Sequence, residues 1–141
     1  MGAEATKPKW NVLEVARLVR DFEVAATRRA EGEGGRDTRK SNRAADRMLR
    51  IAEILDERGA IGELTRFLGA TNPAARQWSA ELILMARDRE RERDAVATLE
   101  MLARSDVAWE RMSAGDTLDL YRKGELRALR ARRGPRRRVA G

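Results

Sequence analysis

The sequence predicts an all-α fold of about six helices stacked as antiparallel pairs. Three observations predict it. Apolar residues recur in steps of three and four, and strand-like alternation is almost absent. Glycines and an Asn-Pro pair fall where the periodic stretches stop and start. Residues 60–86 also match residues 94–120 at an offset of 34, the kind of period at which two-helix units stack to bury faces that neither encloses alone. The 141 residues suit one domain, expected over 1–133, with 134–141 as a disordered basic tail.

From Trp10, the positions Val12, Val15, Val19, Phe22 and Ala26 form one face of a first helix, expected to end near Ala30. Residues 31–37, Glu-Gly-Glu-Gly-Gly-Arg-Asp, read as a loop because glycine weakens helical preference. The second helix carries Ala44, Met48, Ile51 and Leu55, widened by Ala45, Leu49 and Ala52, and Gly59 is its left-handed stop. Ile61, Leu64, Phe67 and Leu68 make a short third helix before Gly69. Asn72 then caps a fourth, with Pro73 at the first helical position and Ala75, Trp78, Leu82 and Met85 facing inward.

Residues 87–94 are all charged, four of each sign, so they must form a connection or the exposed start of the fifth helix, which buries Ala95, Val96, Leu99 and Leu102. Asp106 is expected to cap the sixth helix, with Ala108, Met112, Leu118 and Tyr121 buried. Gly124 ends that helix, and Gly115 within it marks a close helix crossing.

The 34-residue offset places Phe67 on Met101, Leu68 on Leu102, Asn72 on Asp106, Ser79 and Ala80 on Ser113 and Ala114, and Leu84 on Leu118. A shift of 35 gives a weaker third copy, Asp37, Ala45 and Leu49 falling on Asn72, Ala80 and Leu84. The stretch from Asn72 through Ala75, Arg76 and Trp78 to Ala80 resembles the second-helix pattern of HEAT repeats, and Asp106 to Leu118 repeats it with Glu110 where the pattern has Arg. With the long first helix and the closing Ala114-Gly115-Asp116-Thr117-Leu118, the chain over about 12–128 is similar to an uncharacterised bacterial family of small HEAT-like, armadillo-type proteins. The resemblance implies an α-α superhelix and no specific activity.

Composition narrows the function classes. The chain has no Cys and no His, which removes disulfides, thiolate nucleophiles, imidazole bases and Cys/His metal sites. Ser79 and Ser113 occupy small-residue packing positions, and no phosphate-cradling loop or paired-carboxylate motif is present. A non-enzymatic chain without metal or cofactor is expected. The longest apolar run, Leu82 to Ala86, is too short to span a bilayer, and Glu14 and Arg17 interrupt any signal-peptide core. Cytoplasmic location and no membrane partner follow as expectations.

The formal charge is +7, unevenly placed. Residues 122–141 carry nine basic side chains against Glu125 alone, whereas 1–121 hold 21 basic and 22 acidic. Polyanion binding would therefore rest on the tail or a local patch. The arm supplies Arg132, Arg133, Arg136, Arg137 and Arg138, for which a solubilising extension is the alternative. Leu126 and Leu129 are too few for a membrane-surface helix. The patch is Arg36, Arg39, Lys40, Arg43, Arg47 and Arg50, whose arginines step by three and four along the second helix. It is either a solvated face neutralised by nearby acids or a stripe that meets phosphates or an acidic protein.

Trp78 reads as core, and Arg76 as paired with a carboxylate. Trp109, offset from the buried stripe, is a candidate contact residue. Another protein is the expected partner, with a bacterial regulator or toxin-neutralising protein as the role. Nucleic acid, bound through the stripe and the arm, is the alternative.

Overall fold

The computed structural model describes residues 11–34 and 37–129, without the side chains of 33 and 34. These residues are helical, with no strand among them: α1 (Val12–Gly34), α2 (Thr38–Glu57), a 3-10 helix (Ile61–Phe67), α3 (Pro73–Met85), α4 (Arg89–Leu102) and α5 (Ala108–Arg122). The tail at 134–141, the arm arginines and Arg36 lie outside the described residues.

α1 and α2 form an antiparallel hairpin. At its open end the Arg58 guanidinium donates to both oxygens of Glu14 at 2.7 and 3.0 Å, and that bonding holds the Glu14 carboxyl below its usual range. At the closed end α1 runs beyond Ala30 to Gly34, so the expected seven-residue loop is mostly helix. Gly32 shows why glycine stands there. A Cβ on it would lie 2.8 Å from the Ser41 backbone nitrogen and 3.1 Å from the Asp37 carbonyl oxygen, while the Asp37 N–H donates to the Gly32 carbonyl at 2.7 Å. The glycine is the surface on which α2 starts, and Asp37 caps α2 by accepting from the Lys40 N–H.

The rest of the chain stacks on this hairpin. The short helix at 61–67 is 3-10 rather than α, with the Thr65 hydroxyl donating to the Gly62 carbonyl. It packs on α3, α3 on α4, and α4 on α5, while α3 also lies against α1 and α5. α3 meets α1 more extensively than α2. α3 and α5 run in the same direction, because Gln77 meets Ser113 and Glu81 meets Thr117 in one register.

One apolar core runs through all six helices, with Phe22 of α1 against Phe67 of the 3-10 helix, ring centroids 5.2 Å apart. Asn72 caps α3 as expected, and Gly59 and Gly124 take left-handed conformations at helix ends, φ 71° and 74°. Asp88 caps α4, resolving the charged run into a joint and a helix start. At that joint Arg87 is left-handed, φ 61°, and its guanidinium donates to the Leu126 carbonyl at 3.1 Å.

Several sequence expectations give way in α5. The cap position belongs to Val107, not Asp106. Ser105 serves the helix start instead: its hydroxyl oxygen accepts from the Val107 N–H and its O–H donates to Glu110. Met112 and Ala108 are exposed, as is Val12 in α1, and nothing lies within 4 Å of a Cβ placed on Gly115, so it marks no close crossing. The segment after α5 returns to the core. Leu126 and Leu129 are buried there, and the Leu129 N–H donates to the Met85 carbonyl at 3.1 Å.

Candidate functional site: a basic groove and a tryptophan recess

The C-terminal half of α1 carries a different surface on each flank. Toward α2 there is a groove of about 610 Å³ lined by Asp21, Val24, Arg28, Lys40, Arg43 and Arg47, among others. This is where α2 brings most of the sequence-predicted stripe. The acids of α1 take up part of it: Lys40 bonds Glu31 at 3.1 Å and Arg47 bonds Asp21 at 3.0 Å. Arg50 faces Glu53 of its own helix at 3.6 Å. Arg39 and Arg43 are exposed. Arg28, which the sequence pattern does not single out, and Arg43 have no hydrogen bond or ion pair within the described residues. The stripe is therefore a half-compensated face, leaving two uncommitted guanidiniums at one groove.

Toward α3 and α5 lies a smaller recess of about 150 Å³, lined by Arg29, Ala74, Gln77, Trp78, Glu81, Trp109 and Ser113. Trp78 is half-buried and packs against the core. Its ring packs under the Arg29 guanidinium at 5.7 Å, an attraction of cation and π-face. Arg29 also donates to the Ser41 carbonyl at 3.1 Å. Trp109 stands at the mouth, 46% exposed, in keeping with its offset from the buried stripe.

The floor is polar. Gln77 is buried; its amide N–H donates to the Ser113 hydroxyl, and its Oε1 has no partner among the described residues. One turn further along α3, burial pushes the Glu81 carboxyl above its usual range, and only the Thr117 hydroxyl, donating at 3.3 Å, opposes this. Gln77 and Glu81 thus line a small cavity with fewer donors among the described residues than their oxygens can use. Arg76, on the same helix, has no carboxylate partner among the described residues, and its Nε is buried without a hydrogen bond.

The sequence singles out Trp109 but not the recess, because the walls come from three helices whose register depends on tertiary packing. α5 adds one more feature. Trp109, Met112 and Leu120 all lie within about 80° of its circumference at 3.6 residues per turn, on the side away from the core, and Met112 is 65% exposed.

Among the described residues no helix is long and apolar enough to cross a membrane, and no group of three or more His, Cys, Asp or Glu could hold a metal ion. No protein-family model, no curated protein and no solved structure matches this chain.

Proposed function

We propose that the chain is a non-enzymatic protein-binding module, an α-α superhelix of the HEAT-like kind, acting in the bacterial cytoplasm as a regulator or toxin-neutralising protein. The observation that carries the binding role is the outer face of α5, where Trp109, Met112 and Leu120 are turned to solvent on one side of a well-packed helix. Exposed apolar side chains that share one helix face with a half-exposed Trp are characteristic of contact surfaces. The parallel register of α3 and α5, with Gln77 on Ser113 and Glu81 on Thr117, supports stacked pairs of helices, as does the order in which the last four helices pack.

The test is a paired capture from a bacterial lysate with the full chain and its Met112→Asp/Leu120→Asp variant, after both give the same helical circular dichroism. A protein retained by the first and lost by the second is the expected result. Identical captures would sink the reading.

A second reading, polyanion binding, is favoured by Arg28 and Arg43 standing uncommitted at the groove. Its signature is duplex affinity that falls steeply with added salt and falls further in an Arg28→Gln/Arg43→Gln variant.

A further inference from the structure

We propose that the recess between Trp78 and Trp109 receives the side chain of an arginine presented by a partner protein. The inference rests on the protein-binding reading and names the chemistry of what is bound. Size comes first. A volume of about 150 Å³ is below the roughly 300–1,000 Å³ of ordinary small-molecule sites, so it suits one side chain rather than a nucleotide or a larger ligand.

The donor and acceptor balance comes second. Gln77 Oε1 is buried without a donor, and the Glu81 carboxyl, four residues along the same helix face, has one donor where it can accept several. The missing component is a group rich in N–H. A cation suits it better than a neutral amide, because Glu81 is a carboxylate and indole faces attract positive charge. A guanidinium suits it better than an ammonium, because its planar fork of N–H donors matches a carboxylate while stacking on an aromatic face.

Arg29 already occupies the ring of Trp78 and is held by the Ser41 carbonyl. Trp109, at the open mouth, is therefore the face left for the incoming group. The exposed Met112 and Leu120 continue the same helix and offer apolar contact to residues flanking that arginine.

The direct test uses a blocked arginine, N-acetyl-arginine methylamide, titrated into the full chain while the three indole N–H signals are followed by nuclear magnetic resonance. The signals are assigned with Trp→Phe variants. The Trp78 and Trp109 signals should move saturably with Kd about millimolar, as the efficiency of a ligand this small allows. Blocked citrulline, of the same shape but neutral, should bind at least about tenfold more weakly, and blocked lysine more weakly than arginine. Glu81→Gln and Trp109→Ala should each weaken the arginine probe by about tenfold or more. The second alters an exposed residue and spares the fold.

No saturable shift, equal binding of citrulline, equal binding of lysine, or an indifferent Glu81→Gln variant would overturn the proposal. A rise in probe affinity when Arg136, Arg137 and Arg138 are changed to Gln would also overturn it, since the recess would then be served by the chain's own arm. The probe needs no natural partner, so a failure here is distinguishable from a failure of the binding module, which lysate capture tests independently.

Discussion

The two flanks of α1 carry similar numbers of polar groups and treat them in opposite ways. On the α2 side the charges meet in solvent: Lys40 with Glu31 and Arg47 with Asp21, while Arg28 and Arg43 are exposed with no ion pair among the described residues. Such pairs are each worth about 0–1 kcal/mol and can be exchanged freely. On the α3 and α5 side the polar groups are incompletely matched, with Gln77 buried and its Oε1 orphaned among the described residues, and the half-buried Glu81 served by a single hydroxyl. Leaving a buried group unpaired costs about 1–3 kcal/mol. A surface whose charges stay hydrated needs no ligand to explain it, whereas a cavity that keeps unmet acceptors has a reason to be filled. That difference is why the larger groove is the weaker candidate site.

Both flanks depend on α1 being held at its middle by Phe22, which is fully buried against Phe67. Phe22→Ala should break the comparison altogether. The expected loss is about 3–5 kcal/mol, read as a shift in the urea midpoint, and the indole signals of Trp78 and Trp109 should lose their dispersion with it. A loss below about 1 kcal/mol would mean that α1 is held mainly by its ends.

Gly32 is the next test, and it acts first on the groove flank. An alanine there must push against the Ser41 backbone at 2.8 Å, which α2 can relieve only by moving away from α1. A cost of about 1–3 kcal/mol is expected, with Ser41 and Lys40 amides exchanging faster with solvent while those of α3 and α5 are unchanged. If the variant is as stable as the parent, the hairpin closure is looser than its distances indicate.

What is legible in the sequence follows the range of the interaction. The six helices can be read because apolar period is local, and Gly59, Asn72 and Gly124 can be read because caps act within a turn. Gly32 reads as a loop glycine, since nothing in its neighbours reveals that α2 starts against it. Asp106 reads as a cap because Asn72 is one, but Ser105, one residue earlier, already satisfies the Val107 N–H. Leu126 and Leu129, two leucines in a basic stretch, show no period by which to place them in the core.

For the candidate sites, the arginine stripe is visible along α2, but its partial neutralisation comes from Asp21 and Glu31 on α1. Trp109 is visible as an offset residue. Its recess is not, since Arg29, Gln77 and Ser113 meet only after three helices have packed.

Glu81 sharpens the comparison through pH. Burial raises its pKa in the folded chain above the ordinary value of 4.5, so between 4.5 and the raised value the folded state holds a proton that the unfolded state has released. Stability from this group is therefore greatest below pH 4.5 and declines as pH rises through that window. Glu81→Gln removes the titration and keeps an oxygen for the Thr117 hydroxyl. The variant should be more stable than the parent at pH 7, by on the order of 1 kcal/mol, the scale of relieving one poorly satisfied buried group. The advantage should shrink toward zero as pH approaches 4.5. An advantage that does not change with pH would place Glu81 in a better solvated setting than its burial implies.

The smallest effect belongs to the groove. Replacing Arg43 and Arg47 by Glu removes one uncommitted cation and turns the Arg47–Asp21 bond at 3.0 Å into a like-charge contact. Both positions are exposed, and Asp21 can turn toward water, so the fold should survive with a loss of at most about 1 kcal/mol. Binding then decides between the two functions. If α5 is the docking face, the double reversal leaves partner capture unchanged, because neither arginine adjoins Trp109, Met112 or Leu120. If the groove instead holds phosphates, duplex affinity falls alike for every sequence and its dependence on salt becomes shallower, since the lost contacts are to the backbone and not to bases. The expected result is an intact fold, unchanged capture and an unchanged salt slope, because the acids of α1 have already committed half of the groove's cations before any ligand arrives.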